Sequence, residues 1–336
     1  MTYVILGAGA VGTSLAAQFS EAGIDAVLVG RGRQLTHLRD HGLLYQRSLG
    51  TSRIALKVTD LEGLRLNPND VLILAVKVQD VAELSSRLAV LPVAGGGVAA
   101  DLPILTLQNG LEAERIVARR FARPYAAVVR VPAIYTETGR VRVLAEPHFA
   151  SIMLGASPGG IDTVSTRLAA DLVRAGALVE ERADIRRWKA QKLIYNTGNV
   201  VELFRATPDE ARTVAGHLSA EATEVLTAAG YDPASESERG VSLAGWTTSR
   251  DPDDPGGQST WQSFTRGASS EVDFLNGEIV LQARLLGRDA PWNSAAQRLA
   301  AELAAQGGAP GLIGLDRLVL LAQSRAIDHS RSVDPS

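Results

Sequence analysis

Along the first half of the chain the apolar residues come in short, almost unbroken runs, at 4–6, 26–29, 71–76, 104–107 and 126–131. Segments of helical length separate most of them. Brief apolar strands alternating with helices predict a parallel sheet covered on both faces. A hairpin is expected near 136–144, a strand at 151–154, a helix from Asp162 to about Ala175 and a last strand at 178–181. Beyond about Asp184 the strand pattern stops. Apolar positions then recur at helical spacing in 187–204, 211–229, 259–265, 272–286, 294–305 and 311–323. The pattern predicts an α/β doubly wound domain over 1–182 and an all-helical domain over 183–323. The glycines of 94–97 read as a loop, and SRDPDDPGGQ at 249–258 as an exposed loop between helices. The polar end, 324–336, carries no apolar period and is expected to fray.

Composition narrows this picture in a few places. A chain of 336 residues exceeds one ordinary core, which agrees with two domains. An apolar content of 46% and a charged content of 21% suit a globular protein. A formal net charge of -3 provides no basic field for nucleic acid and no polybasic membrane anchor. The absence of cysteine excludes disulfides, thiolate metal sites and a cysteine nucleophile. The apolar runs are too short to span a bilayer, and MTYVILGAGAVG enters a strand with no leader pattern, so a cytoplasmic location is expected.

Between the first strand and the first helix stands GAGAVG, Gly7, Ala8, Gly9, Ala10, Val11 and Gly12, which fits G-x-G-x-x-G in the strand–turn–helix context that gives the motif meaning. Gly7 permits the tight turn, Gly9 lets backbone approach a pyrophosphate, and Gly12 allows close helix–strand packing. The first domain is therefore expected to be of the Rossmann type. After the second strand the chain reads Gly30-Arg31, where NAD-binding folds place an acidic residue for the ribose hydroxyls. A guanidinium there suits a 2′-phosphate, which favours NADP(H). Lys77 and Asn109 stand just past expected strand ends, where open α/β sheets bind ligands.

The helical half carries one unusual stripe. At about 100° per residue, Asn196 falls about 40° from Lys192 and Asn199 about 20° to the other side, so KLIYNTGN presents an amine and two amides together. Ser259, Gln262, Ser263 and Arg266 form a second polar stripe. Glu271 is expected to begin a helix whose N-terminal dipole favours its ionised form. Other sites lack their partners. HLRDH, with His37 and His41, has no glutamate of a zinc-protease motif, DPDD at 251–254 has no calcium-loop spacing, and there is no G-x-S-x-G.

The ordered set GAGAVG, LAVKVQD, LQNG, WKAQKLIYN, S-x-x-Q, SEVDFLNG and APWN resembles the ketopantoate reductases along nearly the whole chain. The resemblance implies a Rossmann domain and a helical domain acting on NADPH and a 2-oxo acid, in pantothenate biosynthesis. It implies Lys192 as the catalytic acid and Glu271 as the site carboxylate, the latter also touching cofactor. Asn109 and Asn196 would help hold cofactor and substrate and Ser259 would hold substrate, while Asn199, one residue before the family's position, joins the substrate contacts through the shared stripe. Arg31 and Lys77 would be the cofactor's basic contacts, and Ala133 a backbone contact to NADP. A homodimer is left open.

The chain departs from the family pattern at four places. Val200 stands where a second helix asparagine is usual, and FRATPDEAR has no asparagine. Ser263 replaces an aspartate, and DPGGQ offers no amide before Ser259. Two alternatives therefore stand beside ketopantoate reduction: a sibling reductase of another 2-oxo acid or an imine, and a non-catalytic NADP(H)-binding regulator.

Overall fold

The structure is a computed structural model. It describes the chain apart from residues 49, 136, 249–259, 262, 263, 265–270 and 333–336, and it describes only the backbone of 325–332. Two compact units emerge. One comprises Met1–Gln108, Glu112–Trp188 and Glu236–Asp254, the other Asn109–Leu111, Lys189–Ser235 and Pro255–Ser336.

The first unit is built on strands β1 (Tyr3–Leu6), β2 (Ala26–Val29), β3 (Leu43–Arg47), β4 (Gly50–Ile54), β5 (Val58–Thr59), β6 (Val71–Leu74), β7 (Pro103–Thr106), β8 (Arg123–Arg130), β9 (Ala133–Ile134), β10 (Arg140–Val143), β11 (Ala145–Glu146), β12 (Ser151–Ala156), β13 (Leu178–Glu181) and β14 (Thr247–Thr248). Eight of them form one sheet in the order β13-β12-β8-β7-β6-β1-β2-β5. Every neighbouring pair is parallel except β12 with β8. Helices α1 (Ala10–Glu21), α2 (Gly32–His41), α3 (Val78–Ala89), α4 (Glu112–Ala118) and α5 (Thr163–Arg174) complete the unit.

The strands are apolar on both sides because both sides are covered. Tyr3, Ile5, Val71, Ile73 and Leu105 share a core with α1 and α5, and the Tyr3 ring lies 4.8 Å from that of Phe19. The alternate residues Val4, Leu6, Leu72 and Leu74 are as deeply buried on the opposite face. The run expected to reach residue 76 ends at Leu74, since Ala75 and Val76 turn out of the sheet beneath Gly7. A second sheet, β4-β3-β10-β9, joins the same core through Leu43, Tyr45, Ile54, Val141 and Val143. The antiparallel pairing of β9 with β10 is the hairpin expected near 136–144. Strands β3 and β4 were not expected, because their outer positions are Gln, Arg, Ser and Thr. The short β14, paired with β11, also lies beyond the point where strands were expected to stop.

Polar contacts fasten the returning segment 236–241 within this unit. Arg182 pairs with Glu180 at 2.9 Å and Asp184 at 3.0 Å, and Arg187 pairs with Glu238 at 2.7 Å. Glu180 accepts the Gly240 N–H at 2.9 Å. The Arg182 guanidinium lies 4.7 Å from the centre of the buried Trp188 ring.

The second unit holds most of α6 (Ile185–Thr197), then α7 (Pro208–Ala228), α8 (Asn276–Leu285), α9 (Pro291–Ala305) and α10 (Leu315–Ser332). The division between units falls inside α6, between Trp188 and Lys189. Thr207-Pro208-Asp209-Glu210 starts α7 with a reciprocal cap. The Thr207 N–H donates to Glu210 at 2.8 Å and the Glu210 N–H to the Thr207 hydroxyl at 3.3 Å. Two apolar cores result, one around Leu203, Leu218, Leu299 and Leu318, the other around Leu111, Leu193, Leu226 and Ile279. The helical backbone of α10 continues to Ser332, past the last apolar period. Helix propagation from a packed first half needs no further apolar face. The loop expected at 249–258 lies outside the described residues.

Candidate functional site

The glycine loop occupies the carboxyl end of β1, between β2 and β6 in the sheet. Gly7 has φ 121°, and a Cβ there would come within 2.8 Å of the Ala75–Val76 backbone. A Cβ on Gly12 would collide with the Gly7 carbonyl oxygen. These two glycines are required by the fold itself. Gly9 is different, since its φ is -87° and a Cβ would meet nothing within 4 Å. Neither conformation nor packing asks for glycine there, and the open space is what a close-lying ligand would use. Gly9 also N-caps the 12-residue α1, whose start has no side-chain cap and no acidic residue in its first turn. The amides of Ala10, Val11 and Gly12 thus present the positive end of a helix, and the residues fit the pyrophosphate of a dinucleotide.

Neighbouring strand ends support this loop. Gln108 donates through Nε2 to the carbonyls of Leu74 and Val76, both at 2.9 Å, so it ties β6 to β7 directly beneath the glycines. Sequence reasoning missed this residue; its signal was a polar side chain immediately before the Asn109-Gly110 turn. Lys77 is half-buried and forms the N-cap position of α3. Arg31 forms that of α2 and is 88% exposed. Ala133 begins β9 and commits its N–H to Val131 at 2.8 Å, leaving its carbonyl side for any backbone contact. All of these lie in the first unit.

Asn109, Lys192, Asn196, Asn199 and Glu271 lie in the second. Leu193, pointing off the stripe, is fully buried in the core with Leu111 and Leu275. The last residue of α6 is Thr197, and Gly198–Leu203 continues as a 3-10 helix. A 3-10 turn advances about 120° per residue, which moves Asn199 from about 20° on one side of Lys192 to about 20° on the other. The stripe survives the change of helix type. Asn196 and Asn199 are each 4% exposed, and among the described residues neither amide has a hydrogen-bond partner. Neither is among the fully water-excluded unpartnered polar atoms, so both amides keep an opening through which water or a polar ligand can reach them.

Glu271 is 5% exposed and directly precedes a 3-10 turn, Val272–Phe274. The expectation that it opens an α-helix is corrected: Glu271 precedes a three-residue 3-10 turn, and α8 starts only at Asn276. Gly110, with φ 80°, lies against this turn, where a Cβ would come 2.6 Å from the Phe274 carbonyl oxygen. The Asn109-Gly110 turn and the Glu271 turn are therefore packed together within the second unit.

Beneath the stripe runs a buried polar relay. Asn276 donates through Nδ2 to the Thr197 carbonyl at 3.0 Å and to Asn293 Oδ1 at 2.9 Å. Asn293 Nδ2 donates to Glu221 at 2.8 Å, and Glu221 accepts the N–H groups of Trp292 at 2.9 Å and Asn293 at 2.8 Å. The end of α6 is thus positioned from α8, α9 and α7. Burial pushes the Glu221 carboxyl above its usual range, against the pull of these donors. Sequence reasoning also passed over Lys189, 4% exposed and about 60° round the helix from Lys192. Ser259, Gln262, Ser263 and Arg266 lie outside the described residues. Among the described residues no cluster of three or more His, Asp or Glu could hold a metal ion, and no helix is long and apolar enough to cross a membrane.

The fold is a Rossmann-type α/β unit followed by a helical region. The chain belongs to the ketopantoate reductase PanE/ApbA family. The family's N-terminal model matches residues 3–158 and its C-terminal model residues 184–304. This is a family of nicotinamide-dependent oxidoreductases. A 2-dehydropantoate 2-reductase from Pyrococcus horikoshii is 24% identical over 302 residues, 87% of this chain and 94% of the relative. Two solved structures share the fold. A PanE/ApbA family ketopantoate reductase from Ralstonia eutropha JMP134 superposes with TM-score 0.75 at 22% identity, covering 91% of this chain and 99% of the other. D-mandelate dehydrogenase with NADH and anilino(oxo)acetate gives TM-score 0.74 at 18% identity, covering 91% and 99%.

Proposed function

We propose that this protein reduces a 2-oxo acid with NADPH, that the acid is 2-dehydropantoate (ketopantoate), and that Lys192 is its general acid. The observation that carries the reading is the pair of largely buried amide residues, Asn196 and Asn199, without a hydrogen-bond partner among the described residues, on the face that presents Lys192 in a chain of this family. The Pyrococcus relative's activity supports the choice of substrate. In the first unit, the amides of α1 would hold the pyrophosphate, with Gly9 leaving room, and Arg31 and Lys77 would supply positive charge for the 2′-phosphate. Ala133 would add a backbone contact.

Reduced nicotinamide, when bound, supplies the hydride. The protein must manage the other partner, the carbonyl oxygen. The Lys192 ammonium donates a hydrogen bond to that oxygen and gives up a proton as negative charge develops there. Asn196 orients the amine, while Asn199 and Asn109 donate to substrate oxygens. Glu271 accepts a hydrogen bond from the substrate hydroxyl, and the Ser259 hydroxyl is proposed as a further substrate contact. Asn199 would take the place of the family's second helix asparagine, which is Val200 here.

A second reading, a sibling reductase of another 2-oxo acid, is favoured by that same Val200, and by the fold shared with an enzyme solved with NADH and anilino(oxo)acetate. The experiment is NADPH oxidation by the purified protein with ketopantoate and with aryl 2-oxo acids. Ketopantoate turnover that falls about 100- to 10,000-fold in Lys192→Ala, with NADPH still bound, is the expected result. Absence of turnover with every 2-oxo acid would overturn the proposal, and an aryl preference would select the second reading.

A further inference from the structure

Two opposite charges stand together at the carboxyl end of the sheet. Arg31 Nη2 lies 3.9 Å from Asp80 Oδ1, with the side chains 88% and 45% exposed. Arg31 follows Gly30, whose Cβ would come 3.1 Å from the Ala8 Cβ, so the arginine leaves the sheet beside the glycine loop. Asp80 stands in the first turn of α3, reached from β6 through the Ala75–Val76 backbone that underlies Gly7. Strands β2, β1 and β6 are consecutive in the sheet, so their carboxyl ends bring the loop, Arg31 and Asp80 to one edge of the first unit.

We propose that Arg31 and Asp80 form a two-way seat for the 2′ position of the adenosine ribose, and that this chain accepts both NADPH and NADH, with Asp80 setting the ratio. The inference rests on the nucleotide reading given above and goes beyond its assignment of NADPH. The two side chains ask for different ligands. A guanidinium offers forked, permanently charged donors to a phosphate, whereas a carboxylate accepts from a ribose hydroxyl and repels a phosphate dianion. With the pair intact, Asp80 offsets part of the attraction of Arg31 for the 2′-phosphate. It also gives the unphosphorylated ribose an acceptor that an arginine alone would not provide. A carboxylate in a first helical turn also favours the helix dipole, a role that would leave cofactor choice untouched.

The test is direct binding of each reduced nucleotide to wild type, Asp80→Asn and Arg31→Ala, read from nicotinamide fluorescence at fixed ionic strength, with melting temperature as a fold control. Wild type is expected to bind both, with dissociation constants within about tenfold of each other. Asp80→Asn should tighten NADPH and weaken NADH, moving the ratio by about three- to tenfold. Arg31→Ala should weaken NADPH while sparing NADH. A ratio unmoved by Asp80→Asn, or both constants moved equally, overturns the inference and leaves the nucleotide reading standing. Failure of wild type to bind either nucleotide overturns both.

Discussion

The glycine loop and the amine–amide stripe solve similar problems with different material. The loop offers backbone: Gly7 and Gly12 are dictated by packing, and of its three glycines Gly9 is the one whose Cβ would meet nothing. The stripe offers side chains, and its orientation depends on a relay of Asn276, Asn293 and Glu221 drawn from three other helices. A site made of backbone is written in a few adjacent residues. A site made of side chains is spread along the chain.

The sharpest way to break this contrast is within the loop itself. Gly12→Ala forces a Cβ onto the Gly7 carbonyl oxygen, and one strand or helix end must move. The expected loss is about 3 kcal/mol of stability together with nucleotide binding, by analogy with overpacking a tight site. Gly9→Ala meets no atom and loses only the N-cap preference for glycine over alanine, under about 1 kcal/mol, so its melting temperature should fall by no more than about 4 °C while nucleotide affinity falls. Thermal melts and nucleotide titrations on both variants check this. Equal destabilisation by the two would mean that Gly9, too, serves the fold.

The same contrast explains what could be read in advance. Strands such as β1 and β6 were legible because burial on both faces leaves an unbroken apolar run. Strands β3 and β4 were not, since Leu43, Tyr45 and Ile54 alone face the core and their neighbours look like a polar loop. The common stripe of Lys192, Asn196 and Asn199 was legible through helical phase, which tolerated the switch to a 3-10 turn, while their proposed roles rest on other grounds. The partners of Asn276 lie 79 residues back at Thr197 and 17 residues on at Asn293, and no local spacing announces such pairs. Glu271 shows the limit of phase reasoning: the SEVDFLNG stretch reads as one helix, but Leu275, at φ -112° and ψ -85°, separates the turn from α8.

Helix caps let the local and the distributed styles be weighed against each other. Glu221, on α7, caps α9 from outside by accepting the N–H groups of Trp292 and Asn293. Glu221→Ala leaves those donors and the Asn293 amide without their acceptor, in buried surroundings. The expected cost is about 2 kcal/mol, read by chemical denaturation, and because Asn293 also holds Asn276, turnover should fall with it. A cost below about 0.5 kcal/mol would mean that relief of the buried carboxylate offsets the lost bonds.

The local counterpart is Asp162, which caps α5 by accepting the N–H groups of Val164 and Ser165, both at 2.9 Å, and the Tyr125 hydroxyl at 2.6 Å. Desolvation alone would raise its carboxyl, but the Tyr125 and backbone donors outweigh it and hold the group below its usual range. Its ionised form is therefore favoured by folding. The contribution is present above the unfolded value of about 3.9 and is lost as pH falls through the lower folded value. Asp162→Ala should cost about 1 kcal/mol at neutral pH, less than Glu221→Ala because the site is exposed. That cost should shrink as denaturation is repeated at progressively more acidic pH below about 4. A penalty that stays constant down to acidic pH would show that the cap works through its geometry and not its charge. Local and distributed caps would then differ only in burial.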